Sequence, residues 1–407
     1  MRLIFVFTAF FGLACVADAE SGAFSDHQLT AVEELRIGSG DDPEFAFTWF
    51  RALEVGSNGD IYTLHRQEHA IRVHDSYGAF VRTIGREGEG PGEFSSPGTM
   101  GLLGDTLWVL DFGTYRFSYF SLTGELLGSQ RIPIDLGEDA SASPPRPRGL
   151  LSDGSISGSS PVWSHLAASG EIKTTAVLRL DSNTNVIDTI ATYSVENTSW
   201  EVADPDDPRS MRSYQSQPFS DTEIVLVANR LPLVVSIDRH VPEQQEGATF
   251  SVTSMNFVGD TVFSREFSYT PIPLEQALID SLVEARAASV ADSRFASAPT
   301  VDKAAIWARN SLYTPQFHPP VGQLVIGRDG SLWLSAERVG GPTITWRIIS
   351  PQGGPVGMVE LPARFSPLLV DGDRVWGSWY DELDVPYIVR YWVGLPNDAP
   401  EGIPLAG

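Results

Sequence analysis

Ile61-Tyr62-Thr63-Leu64 and Leu107-Trp108-Val109-Leu110 stand 46 residues apart and open two segments that run in register, without a gap, to Gly78 and Gly124. Each segment follows a turn (Asn58-Gly59-Asp60, Gly104-Asp105), crosses a short apolar strand, turns through polar residues and returns to Asp/Ser-x-x-Gly. Alternating residues on the return mark a half-buried strand. A strand pair repeated at such a period is one hairpin of a propeller blade. The same signature returns at Asp153-Gly154-Ser155-Ile156, at Asp329-Gly330-Ser331-Leu332-Trp333 and at Asp371-Gly372-Asp373-Arg374-Val375-Trp376.

Working outward, the repeat absorbs almost the whole chain. With 407 residues, 42% of them hydrophobic, there is material for a large core. A repeat protein can use all of it in one unit, because each blade packs only against its neighbours. The 37 glycines and 28 prolines are spread over turn positions rather than gathered in a linker, which suits many short strands. Blades are expected over Phe45 to Ile84, Phe94 to Leu127 and Arg148 to Tyr193. A less regular fourth combines Glu223 to Val227, Leu233 to Ile237 and Phe250 to Phe267. The fifth and sixth run from Gln323 to Glu360 and from Phe365 to Val393. Leu29 to Ile37 precedes the first full repeat, and an unpaired strand there would be an exposed edge; its expected place is in the last blade, closing the ring. After Pro273 the apolar period changes to about 3.6, with Leu274, Leu278, Leu282 and Val283 on one face of a helix, and a second helical stretch follows Thr300. Such an insertion, about 274–311, has no place inside the sheets and must lie on a face or rim of the ring. The expected fold class is all-β, a six-bladed beta-propeller with a helical insertion between blades 4 and 5.

The net charge of −24 arises from 52 acidic and 28 basic residues, of which only Lys173 and Lys303 are lysines. Without a basic cluster to displace counterions, nucleic acid is excluded as a partner. The N-terminus reads as an export signal over residues 1–19: Arg2 supplies the charge, Leu3 to Ala14 an apolar run too short to span a bilayer, and Ala17-Asp18-Ala19 a small-residue cleavage site. The working chain is then 20–396 with a tail of 397–407, in an extracytoplasmic place: periplasmic, secreted or anchored at the outer membrane. Cys15 is the single cysteine. Leu13-Ala14-Cys15 resembles part of a lipobox, so Cys15 is the candidate lipidation site and the one route to membrane contact, since no later segment suits a transmembrane helix.

Gly85-x-x-Gly88-x-Gly90-Pro91-Gly92-Glu93-Phe94-x-x-Pro97, followed by Leu107-Trp108-Val109-x-Asp111 and Arg116-Phe117, resembles an NHL repeat and is similar to the six-bladed, TolB-like propellers of bacterial envelopes. Gly38-x-Gly40-x-x-Pro43-Glu44-Phe45 is a degraded copy. The likeness is specific over about 36–128, looser over blades five and six, and weak in three and four. It implies a fold more than an activity. The glycines of this loop do not form a phosphate cradle: no lysine with Ser/Thr follows, and Glu87, Glu89 and Glu93 would repel the anion.

His65, Glu68, His69 and His74 form the constellation nearest to chemistry. His65, Glu68 and His69 on one hairpin tip offer three donors of the kind zinc takes, although polar residues at a turn need no metal. His65 aligns with Asp111, where NHL-like blades carry an aspartate, and these two are the candidate binding residues. Resemblance to gluconolactonase and amidating-lyase propellers would place ligands from several blades around the channel. His165, His240 and His318, with Asp111, Asp153 and Asp238, are scattered candidates without a pattern. No metalloprotease motif, nucleophile elbow or cysteine nucleophile is present. Tyr62, Trp108, Trp333 and Trp376 share a repeat position and read as core between blades, whereas Trp49, Trp163, Trp200 and Trp307 lie off the repeat and could line a ligand face. The expected function is a binding module in the cell envelope for an unknown protein or small-molecule ligand, with no obligatory cofactor. The alternatives are a calcium- or zinc-dependent hydrolase or lyase and a purely structural envelope component.

Overall fold

The computed structural model describes residues 21–22, 27–38, 47, 49–133, 144–160, 170, 172–207, 212–243, 246–293, 298–336 and 340–400. Residues 1–19, expected from the sequence to be an export signal, with Cys15, and Trp163 and His165, lie outside the described residues.

The chain folds as a six-bladed β-propeller. Blade one is an antiparallel sheet of Phe50–Val55, Ile61–His65, Ala70–His74 and Phe80–Ile84. Blade two follows with Pro97–Leu103, Thr106–Asp111, Arg116–Ser121 and Leu126–Arg131, and blade three with Arg146–Leu150, Ile156–Ser159, Thr174–Leu180 and Val186–Ser194. Blade four comprises Ile224–Val227, Leu233–Asp238, Thr249–Asn256 and Thr261–Ser268; blade five Leu324–Ile326, Leu332–Ser335, Thr343–Ile349 and Pro355–Pro362. The 46-residue echo is visible in the register, since Ile61 opposes His74 and Leu107 opposes Phe120. Tyr62, Trp108, Trp333 and Trp376 are all buried, as inter-blade packing requires. Blade three must yield to Trp108, whose ring would lie 2.8 Å from a Cβ at position 149, and that position is a glycine.

Blade six takes three strands from the C-terminal region, Phe365–Asp371, Arg374–Tyr380 and Pro386–Gly394, and its fourth from Gln28–Ile37. The N-terminal strand therefore closes the ring. Val32 and Ile37 are buried there, each stabilising closure by about 1.5–3 kcal/mol. The Glu34 carboxylate lies between Arg374 at 2.9 Å and Arg390 at 2.8 Å. The same segment reaches further than blade six. Gln28 and Leu29 pair in parallel with Met358 and Val359 of blade five, and Ser21–Gly22 with Glu266–Phe267 of blade four.

Two insertions interrupt the connections that lead from the outer strand of one blade to the inner strand of the next. Between blades three and four stands a ribbon of Ser199–Val202 and Ser213–Ser216, which the sequence pattern did not disclose. Between blades four and five stand the helices Gln276–Ala291 and Val301–Ser311, the second capped by the Thr300 hydroxyl accepting from the Lys303 amide. The first helix ends at Ala291 and buries Ile279, Val283, Ala287 and Val290. Its inward face therefore includes Val283 of the expected stripe, while Leu278 and Leu282 stay half-buried beside it and Leu274 stands before its start. The ribbon is the reason: Trp200 and Val202 share one cluster with both helices, and the Trp200 indole donates to the Ala308 carbonyl at 2.8 Å.

Candidate functional site

The second strands of the six blades end at His65, Asp111, Ser159, Asp238, Ser335 and Tyr380, so each closes on a polar side chain. What each does depends on its surroundings. Asp111 is buried and accepts four hydrogen bonds: from the Ser95 and Ser96 amides (2.7 and 2.9 Å) and from the Thr114 amide and hydroxyl (2.8 and 3.2 Å). Its carboxylate thus ties the loop entering blade two to that blade's own hairpin. His65, also buried, stacks on Phe47 with centroids 5.5 Å apart, meets the Thr63 hydroxyl through Nε2 at 2.9 Å, and turns Nδ1 towards Glu68 at 3.5 Å.

The hairpin brings His65 and Glu68 together but not His69. Glu68 engages Arg72 at 2.7 Å, while His69, held at φ 51°, turns Nδ1 to the Phe94 carbonyl at 3.1 Å. Among the described residues no group of three or more His, Cys, Asp or Glu is arranged to hold a metal ion. His74 packs edge-on to Phe47 and Phe80, and burial, with Arg72 nearby, pushes its imidazole down to about 4.

The loop from Gly85 to Phe94 spends its amides internally. Gly88 N donates to Phe94 O, Phe94 N to Arg86 O and Gly90 N to the Glu93 carboxylate. Arg116 caps the carbonyls of Glu89 and Gly90 at 2.8 and 2.7 Å. It is a blade-to-blade clamp held by these internal bonds.

The two mouths of the ring are unlike. At the end where first strands turn into second strands, Glu54 of blade one reaches Arg230 of blade four at 2.7 Å and Arg328 of blade five at 3.0 Å. Arg328 also holds Asp371 of blade six at 2.7 Å. Blades one and four are opposite one another in a ring of six, so these ion pairs span the centre at that end.

At the other end lies an open polar cleft of about 630 Å³, lined from blades four, five and six. Ser335 and Tyr380 enter it from the ends of second strands, Gln323 and Ser366 from the starts of inner strands, and Arg364 and Asp384 from adjoining loops. Arg364 is anchored by one nitrogen to the Asp381 carbonyl and is otherwise exposed. Ser335 accepts from the Gln323 amide at 2.8 Å, which fixes the floor. Arg239, at one wall, donates to the carbonyls of Thr222 and Val321, both at 2.7 Å. Hydroxyls, an amide, a guanidinium and a carboxylate converging in one concavity can orient a polar ligand.

A second cavity, of about 480 Å³, lies between the ribbon and the second inserted helix. Trp307 lines it, half-buried, with Asn310, Asn197, Glu201 and Arg212. Of the other off-repeat tryptophans, Trp200 is buried in the insertion's core and Trp49 is exposed. His318 is buried with both ring nitrogens unpartnered beside a void of about 30 Å³, and burial lowers its pKa.

Neither His65 nor Asp111 lines the open cleft. Reasoning from sequence missed Arg364, Tyr380, Ser335 and Gln323. Counted from the shared position of Tyr62, Trp108, Trp333 and Trp376, the residue matching His65 and Asp111 is Ala336 in blade five and Trp379 in blade six, so the repeat gave no signal for Ser335 or Tyr380.

The DUF5128 family, described as a 6-bladed beta-propeller, matches residues 53–144, less than a quarter of the chain. No curated protein matches the sequence. Among solved structures, a member of the DUF4221 family from Bacteroides vulgatus is similar over 91% of this chain and 100% of its own, with 10% identity and a TM-score of 0.49. Virginiamycin B lyase from Staphylococcus aureus covers 89% of this chain and 99% of its own, with 12% identity and a TM-score of 0.41. A gluconolactonase from Xanthomonas campestris covers 92% and 99%, with 11% identity and a TM-score of 0.39. Likenesses at these scores carry no argument about activity. No helix among the described residues is long and apolar enough to cross a membrane.

Proposed function

We propose that this chain is an extracytoplasmic binding module of the NHL-repeat, TolB-like kind, with its ligand seat in the open cleft over blades four to six. Residues 1–19 serve as the export signal and 20–396 as the working unit, with Cys15 as the point of attachment where the chain is anchored by lipid. The observation that carries the reading is the asymmetry of the two mouths: ion pairs centred on Glu54 cross one, and polar groups around an open cleft line the other. A crossed mouth leaves any ligand the open end. There Arg364, Tyr380, Ser366 and Gln323 present donors and acceptors on a rigid ring, so little ordering is needed on binding.

The test is a thermal-shift screen of the exported chain against polar metabolites, repeated with Arg364→Ala and Tyr380→Phe. A ligand seated in the cleft raises the melting temperature saturably and loses roughly tenfold in affinity in the arginine variant. Ligands whose stabilisation is untouched by both substitutions place the seat elsewhere and overturn the proposal.

A further inference from the structure

The two cavities share a wall, and that wall is Gln217. Its side chain is nearly buried, donating to the Ser311 carbonyl at 2.8 Å and the Ser199 carbonyl at 3.3 Å while accepting from the Tyr313 amide at 3.0 Å. It therefore locks the ribbon to the second helix, and it lines both the cleft over the channel and the cavity beneath Trp307. Each cavity, at about 630 and 480 Å³, is the size of a complete small-ligand site. Side by side they adjoin at Gln217, one at the ring's mouth and the other at the inserted layer.

The chemistry of the far end narrows the occupant. Trp307 has its inner face packed into the cluster of Trp200 and Leu312, and its exposed remainder lines the cavity. Asn197 and Asn310 are exposed side-chain amides, and Glu201 is held by Arg212 at 2.5 Å and by the Tyr214 hydroxyl at 3.0 Å. A flat apolar ring flanked by planar amides and a carboxylate matches a sugar ring, whose C–H face is apolar and whose paired hydroxyls each donate and accept. A chain with net charge −24 repels polyanions, which favours a neutral polymer.

Resting on the reading of the cleft as the ligand seat, we infer that the protein binds a neutral oligosaccharide that passes over Gln217 from one cavity to the other, one end over Trp307 and Asn310 and the other against Arg364 and Tyr380. Titration calorimetry of the exported chain with neutral hexasaccharides of glucose, xylose, mannose and N-acetylglucosamine, beside their monosaccharides, tests it. At least one hexamer is expected to bind roughly tenfold more tightly than its monomer. Trp307→Ala and Arg364→Ala are each expected to weaken the hexamer more than the monomer. Asn310→Ala, at an exposed helix position that tolerates alanine, gives the same test should the tryptophan variant fail to fold. Binding that depends on Arg364 but ignores Trp307 and Asn310, or no gain from monomer to hexamer, overturns the extended ligand and leaves the cleft proposal standing. Silence from every saccharide also overturns it, and silence from the metabolite screen as well removes the cleft proposal. Capture of an extended peptide in place of any saccharide counts against the inference too.

Discussion

At the scale of single residues, the blade-one histidines show how one repeat position can hold different chemistry. His74 stands where blade two has Phe120, in the same register and equally buried. Its neighbours Phe47 and Phe80 offer no acceptor, Nδ1 has no hydrogen-bond partner, and burial holds the ring neutral with a pKa of about 4. A histidine whose folded pKa lies below its unfolded value of 6.5 takes up protons mainly on unfolding. The fold is therefore unaffected above pH 6.5 and loses stability as the pH falls towards 4, by about 1–2 kcal/mol near pH 5 from this residue. His74→Phe, copying blade two, is expected to flatten that fall; urea midpoints at neutral and acid pH that decline as steeply as in the parent would refute it. Asp111 was legible as a repeat-position aspartate, but its four hydrogen bonds to loop and hairpin are a tertiary fact.

At the scale of elements, the loop from Gly85 to Phe94 was readable because its glycines, proline and phenylalanine each answer a local demand. Gly85 sits at φ +82°, and a Cβ there would lie 2.2 Å from the Phe94 ring. Phe94 is fully buried between blades one and two, so it has nowhere to move. Gly85→Ala should cost about 2–4 kcal/mol from backbone strain plus overpacking, read as a fall in the urea midpoint at unchanged slope. The inserted helices were equally readable from their period, because an apolar stripe must find cover. The ribbon that covers them was not, since Ser199–Val202 and Ser213–Ser216 are too short to show alternation and gain their apolar partners only from distant helices.

At the scale of the whole molecule, closure by Gln28–Ile37 makes the ring depend on a strand far in sequence from its partner. Thr30 opposes Gly394 and Ile37 opposes Ile388, so the strand runs back along Pro386–Gly394 as the second arm of a hairpin would. Deleting residues up to 37 is expected to abolish the cooperative melt and leave an aggregating chain with a bare edge. Moving residues 28–37 to follow Gly394 through a short turn should restore the cooperative melt, because the same hydrogen bonds form from either end of the chain. A deletion that melts as sharply as the parent would show that closure contributes little.

The sequence alone determined what repeats: the six blades, the closing strand, the buried aromatic position, the inter-blade glycine loop and the helical insertion. Each follows from a pattern within one element or from a demand that recurs at a fixed spacing, so it can be read without knowing what lies opposite. Tertiary structure alone decided what meets. The ion pairs of Glu54, Arg230 and Arg328 join blades one, four and five, and the open cleft draws on blades four, five and six. Such groups carry no shared spacing along the chain, because only closure of the ring brings them to the same mouth.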